Sequence, residues 1–290
     1  MAKARKIVKR RKAVQNIRKI TQTMQLIATA RFQRCLHRAT ASKPYTEKIT
    51  GMIQTLSGLE SVDHPLLKPN EGVGRSILLA ITSNRGLCGA YNASVLRMAT
   101  EHKKQLATRG ITPSLEMVGK KGISYMRFLG AEVSAKITDV EDRIAYARVA
   151  EMAERYMQAY ASGEVARVDV ACTRFYSVGV QRPAVAQLLP IEPPPEDEEA
   201  QRRVRPDFEF SPPPDVLLGR LIPETVKVRL YQYFNDAILS EQVARMVAMK
   251  AATEAAGDMI KYLTRQYNRA RQTQITLELA DIVGGSEAVK

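Results

Sequence analysis

The sequence predicts an α/β protein in which long N- and C-terminal helices pair as an antiparallel coiled coil and a smaller α/β domain is inserted between them. Three observations predict it. Apolar residues recur in steps of three and four near both ends, short apolar β-type runs alternate with helical stretches in the middle, and proline- and glycine-rich punctuation separates these regions. The division expected is an N-terminal helix over 1–60, a central domain with its linker over 70–206, and a C-terminal helix over 207–290.

From Lys3 to about Leu59, Pro44 is the one proline and Gly51 the first glycine. Ile17, Ile20, Met24 and Ile27 form a stripe sized for one partner helix. Pro44 predicts a kink or a short break, and the glycines at 51 and 58, followed by Pro65, Pro69 and Gly72, predict a loop. The second long helix starts at Asp215 or just after Pro223 and runs to about Val283, where Gly284 and Gly285 stop it. Its stripe is Val243, Met246, Met249, Ala252, Ala256, Met259 or Ile260, Leu263, Tyr267 and Ala270. At 1.5 Å per residue either segment makes a rod on the order of 80 Å, far longer than the usual helix of about 11 residues. Two such rods bury narrow stripes most economically against each other.

Between them, Ser76–Thr82 reads as a strand, Asn92–Arg109 as a helix and Ser114–Val118 as a strand. Helices follow near Lys121–Phe128 and over Val140–Ala161, then strands over Val165–Phe175 and Ala184–Leu189. This alternation predicts a layered, Rossmann-like α/β domain. Residues 191–206, rich in proline and charge, read as a surface linker, and Asp207–Phe210 as a short extended piece.

The formal net charge of +14 calls for an acidic partner or a solvated basic face. Because the first acidic residue is Glu47, the opening helix is cationic at all its charged positions. No window holds the roughly 18 apolar residues of a membrane-spanning helix. The basic start lacks the apolar run of a secretory signal, and its periodic pattern continues into the fold, which argues against a transit peptide. Cys35, Cys88 and Cys172 are dispersed and point to a reducing compartment; His37, His64 and His102 are isolated, so no metal and no cofactor is expected. Gly86 and Gly89 follow a strand and precede a helix, but the spacing fits neither dinucleotide fingerprint nor P-loop; close backbone packing explains both.

At this point the residues carry a family resemblance. SEQVARMVAMKAATEAAG (Ser240–Gly257) and YNRARQTQITLELADIVGG (Tyr267–Gly285) resemble the C-terminal signature of F-type ATP synthase γ subunits. IRKITQTMQLIATAR (Ile17–Arg31), SNRGLCGAYN (Ser83–Asn92) and QLLP (Gln187–Pro190) match in order and separation, and the resemblance covers essentially the whole chain. It implies a rotor subunit without catalytic residues of its own. The two helices would run up the central hole of a hexamer of α and β subunits, with the α/β domain on the membrane rotor ring (the c-ring) beside the ε subunit. The complex would lie on the cytoplasmic face of a bacterial inner membrane, held there through its partners and binding no nucleic acid.

The resemblance also assigns contacts. Arg271 and Gln272 match a pair that meets a loop of one β subunit, and Arg269 has a weaker claim of the same kind. Met24 matches a position beside the lower β loops but also lies on the apolar stripe, where packing is the favoured role. Arg85, Lys9, Arg10, Arg11 and Lys12 are candidates for meeting those acidic loops or are simply solvated. Phe208 and Phe210 align with aromatic positions near ε and the rotor ring, or pack on the chain's own sheet. No cysteine stands where some chloroplast relatives carry a redox pair. Two rival readings make other demands. A basic coiled-coil protein that binds nucleic acid would show salt-steep binding and base-reading side chains, and an α/β enzyme would carry an acid, base or nucleophile constellation.

Overall fold

A computed structural model of the chain describes residues 2–57, 64–70, 72–191 and 214–287. The elements in chain order are α1 (Ala2–Ser57), β1 (Arg75–Ile81), α2 (Tyr91–Thr108), β2 (Thr112–Val118), α3 (Lys120–Phe128), β3 (Ala135–Ile137), α4 (Tyr146–Ala161), β4 (Arg167–Phe175), β5 (Gln181–Leu189) and α5 (Pro214–Glu287). Both terminal helices and the intervening α/β sheet predicted from sequence are present. The linker expected over 191–206 and the extended piece at 207–210 lie outside the described residues, apart from Ile191.

The sheet runs in the order β3-β2-β1-β4-β5. The first four strands are parallel and β5 pairs antiparallel with β4. Central parallel strands are covered on both faces, so they read as unbroken apolar runs, as Ser76–Ile81 does, buried at every position. Alternation along the strands still sorts side chains to two cores. Leu78, Ala80, Leu115, Met117 and Ala171 meet α2 and α3 through Val95, Leu96, Ala99, Ile123 and Met126. Leu79, Ile81, Val168, Val170 and Cys172 face the larger core with Tyr156 and Tyr160 of α4 and Ile222, Val226, Leu230 and Phe234 of α5. Cys35 and Ala39 of α1 belong to that same core.

The compact units cut across the three segments expected from the sequence. Residues 31–244 form one unit, and 1–30 with 245–290 form the other. The physical reason is that α5 between Ile222 and Val243 is a core helix of the α/β domain, buried on a broad face.

Several boundaries differ from expectation. Strand β3 is only three residues long, too short for an alternation signal. Helix α4 starts at Tyr146 rather than Val140, because Thr138 and Val140 give their carbonyls to the side chain of Asn84 at 3.1 and 2.6 Å. Helix α1 continues through Pro44 without a break, and α5, which starts within one residue of the Asp215 alternative, runs through Pro223 and continues beyond Gly284 and Gly285. Glycine weakens a helix by only about 1 kcal/mol, too little to end one this long.

All three cysteines are free thiols and buried. Burial pushes the Cys172 thiol up to about 12. Near pH 8 its thiolate fraction is then about one in ten thousand. Iodoacetamide is therefore expected to leave Cys172 unmodified in the native chain and to modify it fully in denaturant, as read by peptide mass spectrometry.

Candidate partner-contact surfaces

The unit built from 1–30 and 245–290 is an antiparallel helix pair. Thr253 Oγ1 donates to Thr21 Oγ1 at 2.7 Å, and the Arg11 guanidinium lies 5.4 Å from the centre of the Tyr267 ring. Gly257 faces Arg18, whose guanidinium is 4.0 Å from where a β-carbon would stand. As α1 advances from 11 to 21, its partner positions fall from 267 to 253, which is an antiparallel register.

The seam does not use the α1 stripe expected from sequence. The side chains turned inward are Ala4, Ile7, Arg11, Val14, Thr21, Gln25 and Ala28. The expected stripe, Ile17, Ile20, Met24 and Ile27, lies one residue to the side and is 36 to 56 % exposed. Both rows step by three and four, so periodicity could not tell them apart. Small residues suit the seam: Thr21 and Ala28 are buried, with Thr21 bonded to Thr253 of α5, whereas the larger isoleucines stay exposed. Met24 is therefore not a seam residue. On α5 the expected stripe does face inward, with Ile260 rather than Met259 filling the ambiguous step.

The unit thus presents an apolar outer row on α1, and α5 separately exposes Val247, Met259 and Tyr262. Exposed apolar rows of this size on a folded surface mark interaction sites.

Further along the same pair, a groove of about 520 Å³ brings together Lys9, Lys12 and Arg271 with Val8, Ile275 and Glu278. Arg271, Gln272 and Arg269 are all exposed. At about 100° per residue Gln272 sits on the face next to Arg271, while Arg269 points well away from it. Lys9, Arg10 and Lys12 are exposed, whereas Arg11 turns into the seam over Tyr267 and is half-buried. Sequence reasoning grouped these four cations as equivalent, and their helical phase separates them.

In the other unit, Arg85 is exposed on the turn after β1. That turn ends at the carboxyl edge of the sheet, beside the point where the strand order reverses, the usual place for a nucleotide in an open α/β sheet. Here Ser83 and Asn92 bond to each other. Asn92 Oδ1 accepts from the Ser83 amide at 2.9 Å, and Asn92 Nδ2 donates to Ser83 Oγ at 2.8 Å and to Cys88 Sγ at 3.2 Å. Gly89 has φ +57, so it serves turn conformation; a β-carbon on Gly86 would make only ordinary contact, 3.5 Å from the Lys121 side chain. Close packing is therefore not the reason for Gly86. Phe208 and Phe210 lie outside the described residues.

Among the described residues there is no cluster of three His, Cys, Asp or Glu side chains able to hold a metal ion, and no helix long and apolar enough to cross a membrane.

Comparison with known proteins gives these surfaces a context. A family model described as ATP synthase matches residues 3–289. A Rhodopirellula baltica protein named ATP synthase gamma chain is 44 % identical over 296 residues, covering 100 % of both chains. A Leptospira biflexa protein of the same name is 36 % identical over 290 residues, again covering 100 % of both. Among solved structures, a chain of the Euglena gracilis mitochondrial ATP synthase in an assembly of OSCP, F1 and c-ring superposes with a TM-score of 0.68 at 17 % identity, covering 99 % of this chain and 95 % of that one. A chain of the Tetrahymena thermophila central stalk and c-ring gives 0.57 at 20 % identity, covering 80 % and 99 %. The structural likeness concerns the fold, whereas the sequence matches run the length of the protein: this chain belongs to the ATP synthase gamma-chain family.

Proposed function

We propose that this chain is the central rotor subunit of a proton-translocating F-type ATP synthase, working at the cytoplasmic face of a bacterial inner membrane as a peripheral subunit with no catalytic group of its own. Its helix pair turns inside a hexamer of α and β subunits, and its α/β domain rides with ε on the membrane c-ring. The observation that carries this reading is the row Ile17, Ile20, Met24 and Ile27, which faces outward along a helix pair although its composition suits a core.

The magnitudes favour a distributed contact. Moving a two-state equilibrium at a β site from one side to the other takes about 5.5 kcal/mol of differential contact. One exposed ion pair supplies about 0.2 to 1 kcal/mol, and full burial of one large apolar side chain about 1.5 to 3. The apolar row therefore provides most of the differential contact. Arg271 and Gln272 act as a directional latch, because a guanidinium fork and an amide donate along fixed lines to carboxylate or carbonyl oxygens. Exposed Lys9, Arg10, Lys12 and Arg85 meet acidic β loops, and Phe208 and Phe210 meet ε or the ring. Arg269 faces another β subunit at a different rotor angle.

Removing the chain from Arg271 onward and measuring ATP-driven rotation of the assembled complex tests the latch. Torque is expected to fall while rotation persists, and unchanged torque would eliminate a role for Arg271 and Gln272. Recovery of one copy of this chain with three α and three β subunits tests the rotor reading itself.

A further inference from the structure

A rotor of this kind needs a joint where the α/β domain grips the long helices, and the unit spanning 31–244 contains one centred on a single residue. Asp142 lies between β3 and α4. Its carboxylate accepts from Arg31 Nη1 of α1, at 2.6 Å to one oxygen and 2.9 Å to the other. Gln242 Nε2 of α5 donates to the same carboxylate at 3.2 Å. The carbonyl of Asp142 accepts from Arg38 Nη2 at 3.1 Å, and the Cys35 thiol lies against that carbonyl at 3.8 Å. Arg31 and Arg38 are seven residues apart, two turns of α1, and so reach from the same face.

The segment that carries Asp142 is itself held. Val140 and Ile144 on either side are buried in the core that also takes Cys35 and Ala39. Asn84, on the turn after β1, bonds the carbonyls of Thr138 and Val140. A continuous set of directional bonds thus leads from the centre of the sheet through this segment to both long helices.

Apolar packing alone would not do this work. Burial against Cys35 and Ala39 is non-directional and leaves a helix free to roll in its groove, whereas charge-assisted hydrogen bonds fix the angle of approach. We propose that Asp142 is the torque clasp, a positioning residue through which rotation of the α/β domain is passed to α1 and α5 together. The proposal rests on the rotor reading above.

The test uses the complete complex in membrane vesicles, with ATP hydrolysis and ATP-driven proton pumping measured side by side. For Asp142→Ala, hydrolysis is expected to stay within about twofold of the parent while pumping falls about fivefold, and amides of 31–39 should exchange about fivefold faster. The charge swap R31D/D142R is expected to recover part of the pumping. A merely structural role would lower hydrolysis and pumping in proportion, and that result overturns the proposal, as does parental pumping by Asp142→Ala. Should the alanine variant fail to assemble, Asp142→Asn keeps the carbonyl and one side-chain acceptor but loses the charge; it is expected to pump at an intermediate level, and parental pumping would again overturn the clasp. A parent complex that hydrolyses ATP without pumping would instead refute the rotor reading and remove the basis of the proposal with it.

Discussion

Replacing Gly119 with alanine is expected to cost the α/β domain about 4 kcal/mol, a large share of the roughly 5 to 15 kcal/mol that holds a typical domain folded. Gly119 sits at φ +94 and ψ +137, in the turn from β2 into α3, a conformation that side-chain-bearing residues adopt at about 1 to 3 kcal/mol each. Space is lacking as well as conformational freedom. A β-carbon there would run into the Thr82 carbonyl oxygen and stand 2.8 Å from the Ser83 carbonyl carbon. Both are backbone atoms that cannot swing aside. The turn is also bonded on both flanks, with the Gly119 amide on the Ile137 carbonyl at 2.8 Å and the Lys121 amide on the Ser83 carbonyl at 3.1 Å. Relief of the clash therefore has to break pairing with β1 or β3. Gly163, with φ +75 and nothing within 4 Å of a β-carbon, is the control; alanine there is expected to cost only about 1 to 2 kcal/mol. Urea unfolding followed by circular dichroism measures both, and equal midpoints for the two variants would disprove the account.

Asp169→Ala is expected to be nearly as damaging, at about 3 to 5 kcal/mol. The Asp169 side chain is fully buried on β4. Arg167 donates to both its oxygens at 2.7 Å, and His102 Nε2 of α2 lies 2.9 Å from Oδ2. Removing the carboxylate strands a guanidinium that is only 20 % exposed against an apolar layer. The cost comes from that orphaned charge and not from the bonds as such. Accordingly, the triple replacement of Asp169, Arg167 and His102 by leucine, methionine and leucine should recover most of the loss. A triple variant no more stable than Asp169→Ala would show that packing, not desolvation, sets the penalty.

What could be read in the sequence follows from how each signal is made. Ser76–Ile81 announced a central strand because both its faces are covered, and the α5 stripe was visible because the buried Val243, Met249, Ala256 and Leu263 recur at helical spacing. The α1 seam was not legible. Ile20 and Thr21, or Ile27 and Ala28, are one step apart, and a rule that assigns the larger apolar residue to the interior chooses the wrong member where the smaller one faces the seam. Asp142 was invisible for another reason. Its four partners come from positions 31, 35, 38 and 242, and nothing local to 139–145 marks the convergence. The exposed cations could be named from sequence but not sorted, since helical phase alone separates half-buried Arg11 from Lys9 and Lys12.

The outward isoleucine row carries a cost for the cell. A copy made without neighbours to cover that flank is self-adhesive, prone to clump with other orphans before it ever meets its complex. On the rotor reading proposed above, supply of this polypeptide has to be kept in step with that of the subunits that would sheathe it, and the same greasiness that suits a bearing makes surplus hazardous.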